Sequence, residues 1–125
     1  MHLCMYASFS NRIMVAVHTA RKFTSLVPHC IYDGGENAFT EWLRRHNVRI
    51  IRHRSFLREP LAELGRRKGN PHLAAALSGA FSRVELPDLV APSVRRVLYT
   101  DCDVIFVAEV VPELEANACS SVDWQ

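Results

Sequence analysis

Apolar and polar residues alternate along the chain in two different periods, and the switches between them mark its elements. His2 to Phe9 is a short apolar run closed by Ser8, Ser10 and Asn11, which predicts a buried strand and a loop. From Ile13 to Phe23 the apolar positions Ile13, Val17 and Ala20 recur at helical spacing, with Ser10 or Asn11 placed to cap. Leu26 to Tyr32 predicts a second strand, stopped by the turn Asp33-Gly34-Gly35. Asn37 then opens a helix bearing Phe39, Trp42 and Leu43, which ends near His46-Asn47. Val48 to His53 predicts a third strand. Phe56 to Leu64 predicts a helix interrupted at Pro60 and closed by Gly65. Past Gly69-Asn70-Pro71, an alanine-rich helix is predicted from His72 to about Val84. Pro87 and Pro92 bracket a loop, Arg96 to Thr100 is a fourth strand, and Val104 to Val107 continues the apolar stretch. Pro112 opens a short acidic segment.

Strands alternating with helices predict an α/β fold, a three-layer sandwich around a mainly parallel sheet. In such sheets ligands bind beyond the carboxyl ends of the strands. Ser8 and Ser10 follow the first strand, Asp33 the second and Asp101 the fourth, so these are the expected walls of one crevice.

Composition narrows the class. Hydrophobic residues make up 49% of the 125 and charged residues 22%, as in an ordinary folded domain. No apolar run approaches the roughly 18 residues of a membrane span, and the start lacks the charged-then-apolar pattern of a signal peptide. A cytoplasmic setting without a membrane span is therefore expected. The cysteines Cys4, Cys30, Cys102 and Cys119 stand too far apart for a zinc-type pair. The histidines show no ligand spacing, and His29 and Trp42 are expected to pack rather than bind. The net charge of +2 hides an asymmetry: residues 44–68 hold nine Lys and Arg against two acids, whereas residues 99–125 hold six acids and no Lys or Arg. A basic flank beside an acidic end would suit an anionic, metal-chelated ligand, although charge runs also serve simply to keep surfaces wet.

The chemistry concentrates in Asp101-Cys102-Asp103. Carboxylates spaced i, i+2 at a strand end can face one hard cation, with water and phosphate oxygens completing the shell. Such a cation stabilises a diphosphate leaving group. The acids sit between the apolar halves Val97-Leu98-Tyr99 and Val104-Ile105-Phe106, where carboxylates are costly to bury without a compensating partner.

Two stretches extend the motif, Gly79-Ala80-Phe81-Ser82-Arg83-Val84-Glu85-Leu86-Pro87-Asp88-Leu89 and Arg96-Val97-Leu98-Tyr99-Thr100-Asp101-Cys102-Asp103-Val104-Ile105-Phe106. Together they resemble the nucleotide-sugar-binding half of GT-A glycosyltransferases, the family 8 type above all, with its helix Arg, Leu-Pro-x-Leu turn and V-L-Y-x-D-x-D-V strand. The resemblance implies a Rossmann-like nucleotide-diphospho-sugar transferase fold. It implies Mn²⁺ or Mg²⁺ as cofactor, a UDP-sugar as donor and transfer of a hexosyl group to an unknown acceptor. Asp103 would ligate the metal, and Asp101 would contact the metal and the ribose. Cys102 would offer backbone contacts, Arg83 would approach the phosphates, and Ala7 and Ser8 would touch the nucleoside. Where the family often carries an acid after strand one, this chain has Ser8-Phe9-Ser10-Asn11. Nothing after Asp103 resembles the family's C-terminal acceptor half. Residues 1–125 are therefore expected to form one domain, the donor-binding part of a truncated enzyme, without a nominated catalytic base and inactive alone.

Two other readings share the residues. In a haloacid-dehalogenase-like phosphohydrolase, Asp101 would be the nucleophile and Asp103 the acid/base, but no Lys follows Lys68 to complete that site. A nucleic-acid-binding module would use the basic stretch, which has only Phe56 interleaved, so nucleic acid is not an expected partner. A remnant that binds a nucleotide sugar without transferring it is compatible with the first reading.

Overall fold

The computed structural model describes residues 1–6 and 11–117. In chain order the elements are β1 (His2–Tyr6), α1 (Asn11–Phe23), β2 (Val27–Tyr32), α2 (Ala38–Arg45), β3 (Arg49–Arg52), α3 (Arg58–Arg67), α4 (Leu73–Leu89), β4 (Val97–Thr100) and α5 (Val111–Asn117). The four strands form one sheet in the order β3-β2-β1-β4, and every neighbouring pair is parallel. The α/β class and the parallel sheet expected from the alternation are both present.

Both sheet faces are covered, so the strands read as nearly continuous apolar runs. Leu3 and Met5 of β1 point into a core with Ile13, Ala16 and Val17 of α1 and Phe39 and Leu43 of α2. The intervening Cys4 and Tyr6 point the other way, toward Leu86 and Leu89 of α4. This two-residue alternation assigns α1 and α2 to one face and α4 to the other. α3 packs against α4. Parallel crossovers are right-handed almost without exception. The chain steps outward from β1 to β2 to β3 with helices on one face. To return past β1 to β4 it must carry its helices on the other, as it does. The winding direction therefore reverses between β1 and β4.

Three boundaries differ from the pattern, each for a physical reason. Pro60 does not interrupt α3, because it occupies the first turn, where its missing N–H has no helical partner to lose. Gly65 does not end α3 either. A Cβ there would lie 2.5 Å from the carbonyl oxygen of Asn70, so glycine lets the following turn fold back onto the helix. α4 runs through Pro87 to Leu89 instead of stopping near Val84. Its last turn is held by burial of Leu86 and partial burial of Leu89, and a proline so close to the end disturbs little of the helix. β1 ends at Tyr6. The expected continuation to Phe9 falls outside the described residues, as do Ser8, Ser10, Cys119 and Asp123.

Val104 to Val107 does not extend β4. Phe106 turns into the core, and its N–H donates to Thr19 Oγ1 at 3.1 Å, while Ile105 and Val107 face outward. His29 is buried as expected, with Nδ1 2.9 Å from the Val27 carbonyl oxygen. Trp42 is partly buried against the core and stacks on His46 at 4.0 Å.

Candidate functional site

Asp101 comes directly after β4, and Cys102-Asp103 forms the turn that follows. Since β4 pairs with β1, these acids stand at the carboxyl end of the strand next to β1, on the side where the winding reverses. Open parallel sheets have their ligand crevice at this kind of switch point, because helices diverge to opposite faces there and leave a gap. α1 starts at Asn11, close behind β1, so its positive dipole end also belongs to this end of the sheet.

The two carboxylates face different neighbours. Asp103 lies 3.5 Å from the Arg12 guanidinium of α1, with both side chains more than half exposed. An exposed pair of this kind contributes little and exchanges readily. Asp101 is exposed, and its charge reaches both Tyr99 and Cys102. The Tyr99 hydroxyl is pushed up to about 12, chiefly by burial and further by Asp101, against the lowering effects of Ser82 and Arg83. That hydroxyl donates to the Gly79 carbonyl oxygen. Arg83 places its guanidinium 5.8 Å from the centre of the Tyr99 ring, and its Nε donates to Ala80 oxygen. Arg83 and Asp101 thus share one neighbourhood around Tyr99, with no ion pair between them among the described residues.

Cys102 is half-buried against the core around α1. Burial raises its thiol, and the adjacent Asp103 charge raises it further. A thiol so held stays protonated and is a poor metal ligand. Beside it, Thr100 Oγ1 is buried without a hydrogen-bond partner among the described residues. Ala7 and Ser8 lie outside the described residues.

No group of three His, Cys, Asp or Glu side chains able to hold an ion occurs among the described residues. Asp101 and Asp103 offer only two carboxylates, so a Mg²⁺ or Mn²⁺ held there would need waters and ligand oxygens to complete its shell. They do not make an all-protein cage.

A polar cavity of about 340 Å³ opens beyond β1 and β2, lined by Tyr6, Asp33, Arg58 and Ser78 among others. Asp33 was an expected wall of the crevice, and it is held by Arg58 at 2.5 Å. Tyr6, Arg58 and Ser78 carried no motif. They come together only because β1, α3 and α4 converge here. A larger cleft, of about 520 Å³, lies at the opposite, amino end of the sheet around His2, Arg95 and Arg96.

Part of the expected basic flank stands away from the acidic turn. Arg49 and Arg52 are on β3, the far edge of the sheet, separated from β4 by β2 and β1, about 14 Å at ~4.8 Å per strand. Seven of the nine cations are also engaged locally, Arg44 and Arg52 with Glu36, Arg45 with Glu41, Arg54 with Glu59, Arg58 with Asp33, and Arg66 and Arg67 with Glu63. The stretch is a solvated, ion-paired surface.

A further polar cluster was not legible in the sequence. Glu85 of α4 is only 3% exposed. It accepts from Ser55 Oγ at 2.7 Å and the Phe56 N–H at 3.1 Å, and His53 Nε2 lies 2.6 Å away. Its partners sit in the loop between β3 and α3, so the cluster ties that loop to α4.

No protein-family model, curated protein or solved structure matches this chain. Among the described residues, no helix is long and apolar enough to cross a membrane.

Proposed function

We propose that this chain is the donor-binding part of a GT-A-type glycosyltransferase, holding a nucleotide-diphosphate sugar through a divalent cation. The observation that carries the reading is the position of Asp101 and Asp103 at the carboxyl end of β4, next to β1, where the sheet reverses its winding. Asp103 acts as the direct ligand, and Asp101 reaches the metal and the ribose. Arg83, on the α4 side, and Arg12, on the α1 side, flank the diphosphate with positive charge. The backbone at Cys102 and the loop at Ala7 and Ser8 meet the nucleoside. The bound cation neutralises the diphosphate and makes it a better leaving group. UDP-sugar is the donor that the resemblance favours, and hexosyl transfer to an acceptor is the activity of the whole enzyme that this reading implies.

Calorimetric titration of UDP-sugars with and without Mn²⁺ tests it. Binding should require the metal, and Asp103→Ala should weaken it by at least about tenfold, roughly 1.4 kcal/mol. Arg83→Ala should weaken it less and leave the metal requirement intact. Binding that needs neither metal nor Asp103 overturns the reading, and turnover of an aryl phosphate replaces it with a phosphohydrolase.

A further inference from the structure

β4 is an open edge. Its inner side pairs with β1, and among the described residues no strand lies on its outer side. The His2 N–H donates to Arg96 oxygen, and His2 is opposite Val97. In a parallel ladder this directs the peptide groups of Arg96, Leu98 and Thr100 toward β1 and those of Val97 and Tyr99 outward. An unpaired row of this kind is a template for another strand. All four residues of β4 are only partly buried.

The flanking charges say which strand fits. β4 is preceded by Arg95-Arg96 and followed by Asp101 and Asp103, all four exposed. Positive charge at one end and negative at the other, about an apolar middle, is self-complementary under a two-fold axis. We propose that β4 pairs antiparallel with β4 of a second copy of this chain, joining two sheets into one. With the axis at Leu98, the outward peptide groups of Val97 meet those of Tyr99 of the second copy, and Arg95 faces Asp101. With the axis at Tyr99, Arg95 faces Asp103. A parallel arrangement would instead set Arg against Arg and Asp against Asp, which is destabilising between directly opposed residues. The contact is isologous, so through β4 it closes at a dimer.

The existing partners of these charges compete weakly. Arg96 is 3.9 Å from Glu115, and Asp103 is 3.5 Å from Arg12 across an exposed pair. Arg95 and Asp101 make no ion pair among the described residues. The pairing does not depend on the donor-site reading. Where that reading also holds, Arg95 and the cation compete for the same carboxylate, and dimerisation opposes donor binding.

Sedimentation of the whole chain, with neither metal nor nucleotide present, separates the two ideas. The expected result is a reversible dimer that weakens as salt rises. Arg95→Glu with Arg96→Glu, and separately Asp101→Lys with Asp103→Lys, should each weaken it on the order of tenfold or more. Mixing the two variants should restore association as a heterodimer. Circular dichroism checks that each variant is folded, and the milder Arg95→Glu, with the salt series, serves if a double variant is not. A monomer at all concentrations overturns the proposal. So does a dimer indifferent to both charge reversals, or a mixture that associates no better than its components.

Discussion

Glu85 is a carboxylate inside the protein, and its three neighbours decide its chemistry. Burial alone would raise its pKa, but donation from Ser55, His53 and the Phe56 N–H outweighs that and holds it below the usual carboxylate range. A depressed folded value means that ionised Glu85 favours the native state. Its contribution is fully present above the unfolded value of about 4.3 and is lost as pH falls through the folded one. Glu85→Gln should therefore cost about 1–3 kcal/mol near neutral pH, the cost of weakening a buried charge-assisted network. Urea titrations across the acid range should show the variant's deficit shrinking as pH drops. A deficit that stays constant with pH would mean the ionised carboxylate is not what matters. Thiol chemistry gives a second residue-scale expectation. Cys4 is fully buried and its thiol is raised to about 11 by burial, while Cys102 is only half-buried. Iodoacetamide at neutral pH should label Cys102 before Cys4, and Cys4 only as the protein unfolds.

Elements form here from local chemistry that is partly readable and partly not. Asn37 was readable. Its side chain accepts from the Phe39 and Thr40 N–H groups, and Thr40 Oγ1 accepts from the Asn37 N–H, which completes a capping box. Asn37→Ala should cost about 1 kcal/mol, measured by thermal or urea unfolding. Gly65 was misread as a stop, because its role depends on a backbone oxygen that returns only after the next turn. Gly65→Ala should destabilise by about 1–3 kcal/mol through that overlap, whereas Gly35→Ala, with nothing within 4 Å of the added carbon, serves as a tolerated control. The end of α4 was misread for a related reason. Pro87 carries a local signal to stop, and the burial of Leu86 against the second sheet face is a long-range signal to continue. Where the two conflicted, burial decided, and burial is not visible until the sheet is assembled.

At the scale of the whole molecule, the order of elements and the parallel sheet follow from alternating periods. The acids at 101 and 103 stand out in the sequence because they interrupt an apolar run, and they fall just beyond the carboxyl end of β4. Strand order was not legible, since periodicity does not say which strands are neighbours. That is why the whole basic stretch appeared to flank the acids, when its β3 residues Arg49 and Arg52 lie on the opposite edge. The Glu85 cluster and the cavity at Tyr6, Arg58 and Ser78 escaped for the same reason, each joining residues from distant parts of the chain. Conversely, the edge position of β4 gives the arginines before it and the aspartates after it a joint meaning that neither run has in the sequence.

The reversal of winding also has a bearing on how the chain assembles. β1 is central, with β2 on one side and β4 on the other, and His2 pairs with both Val27 and Val97. The first pairing closes a short loop. The second must wait until nearly the whole described chain exists. The entropy of that closure grows only slowly with loop length, but distant pairings slow the search for the native state. During synthesis β1 can therefore settle against β2 early while its other margin stays open. A chain halted before Val97 would present that margin, Leu3 to Met5, as an unpaired apolar strand. β4, when it emerges, thus closes an apolar, aggregation-prone margin of β1.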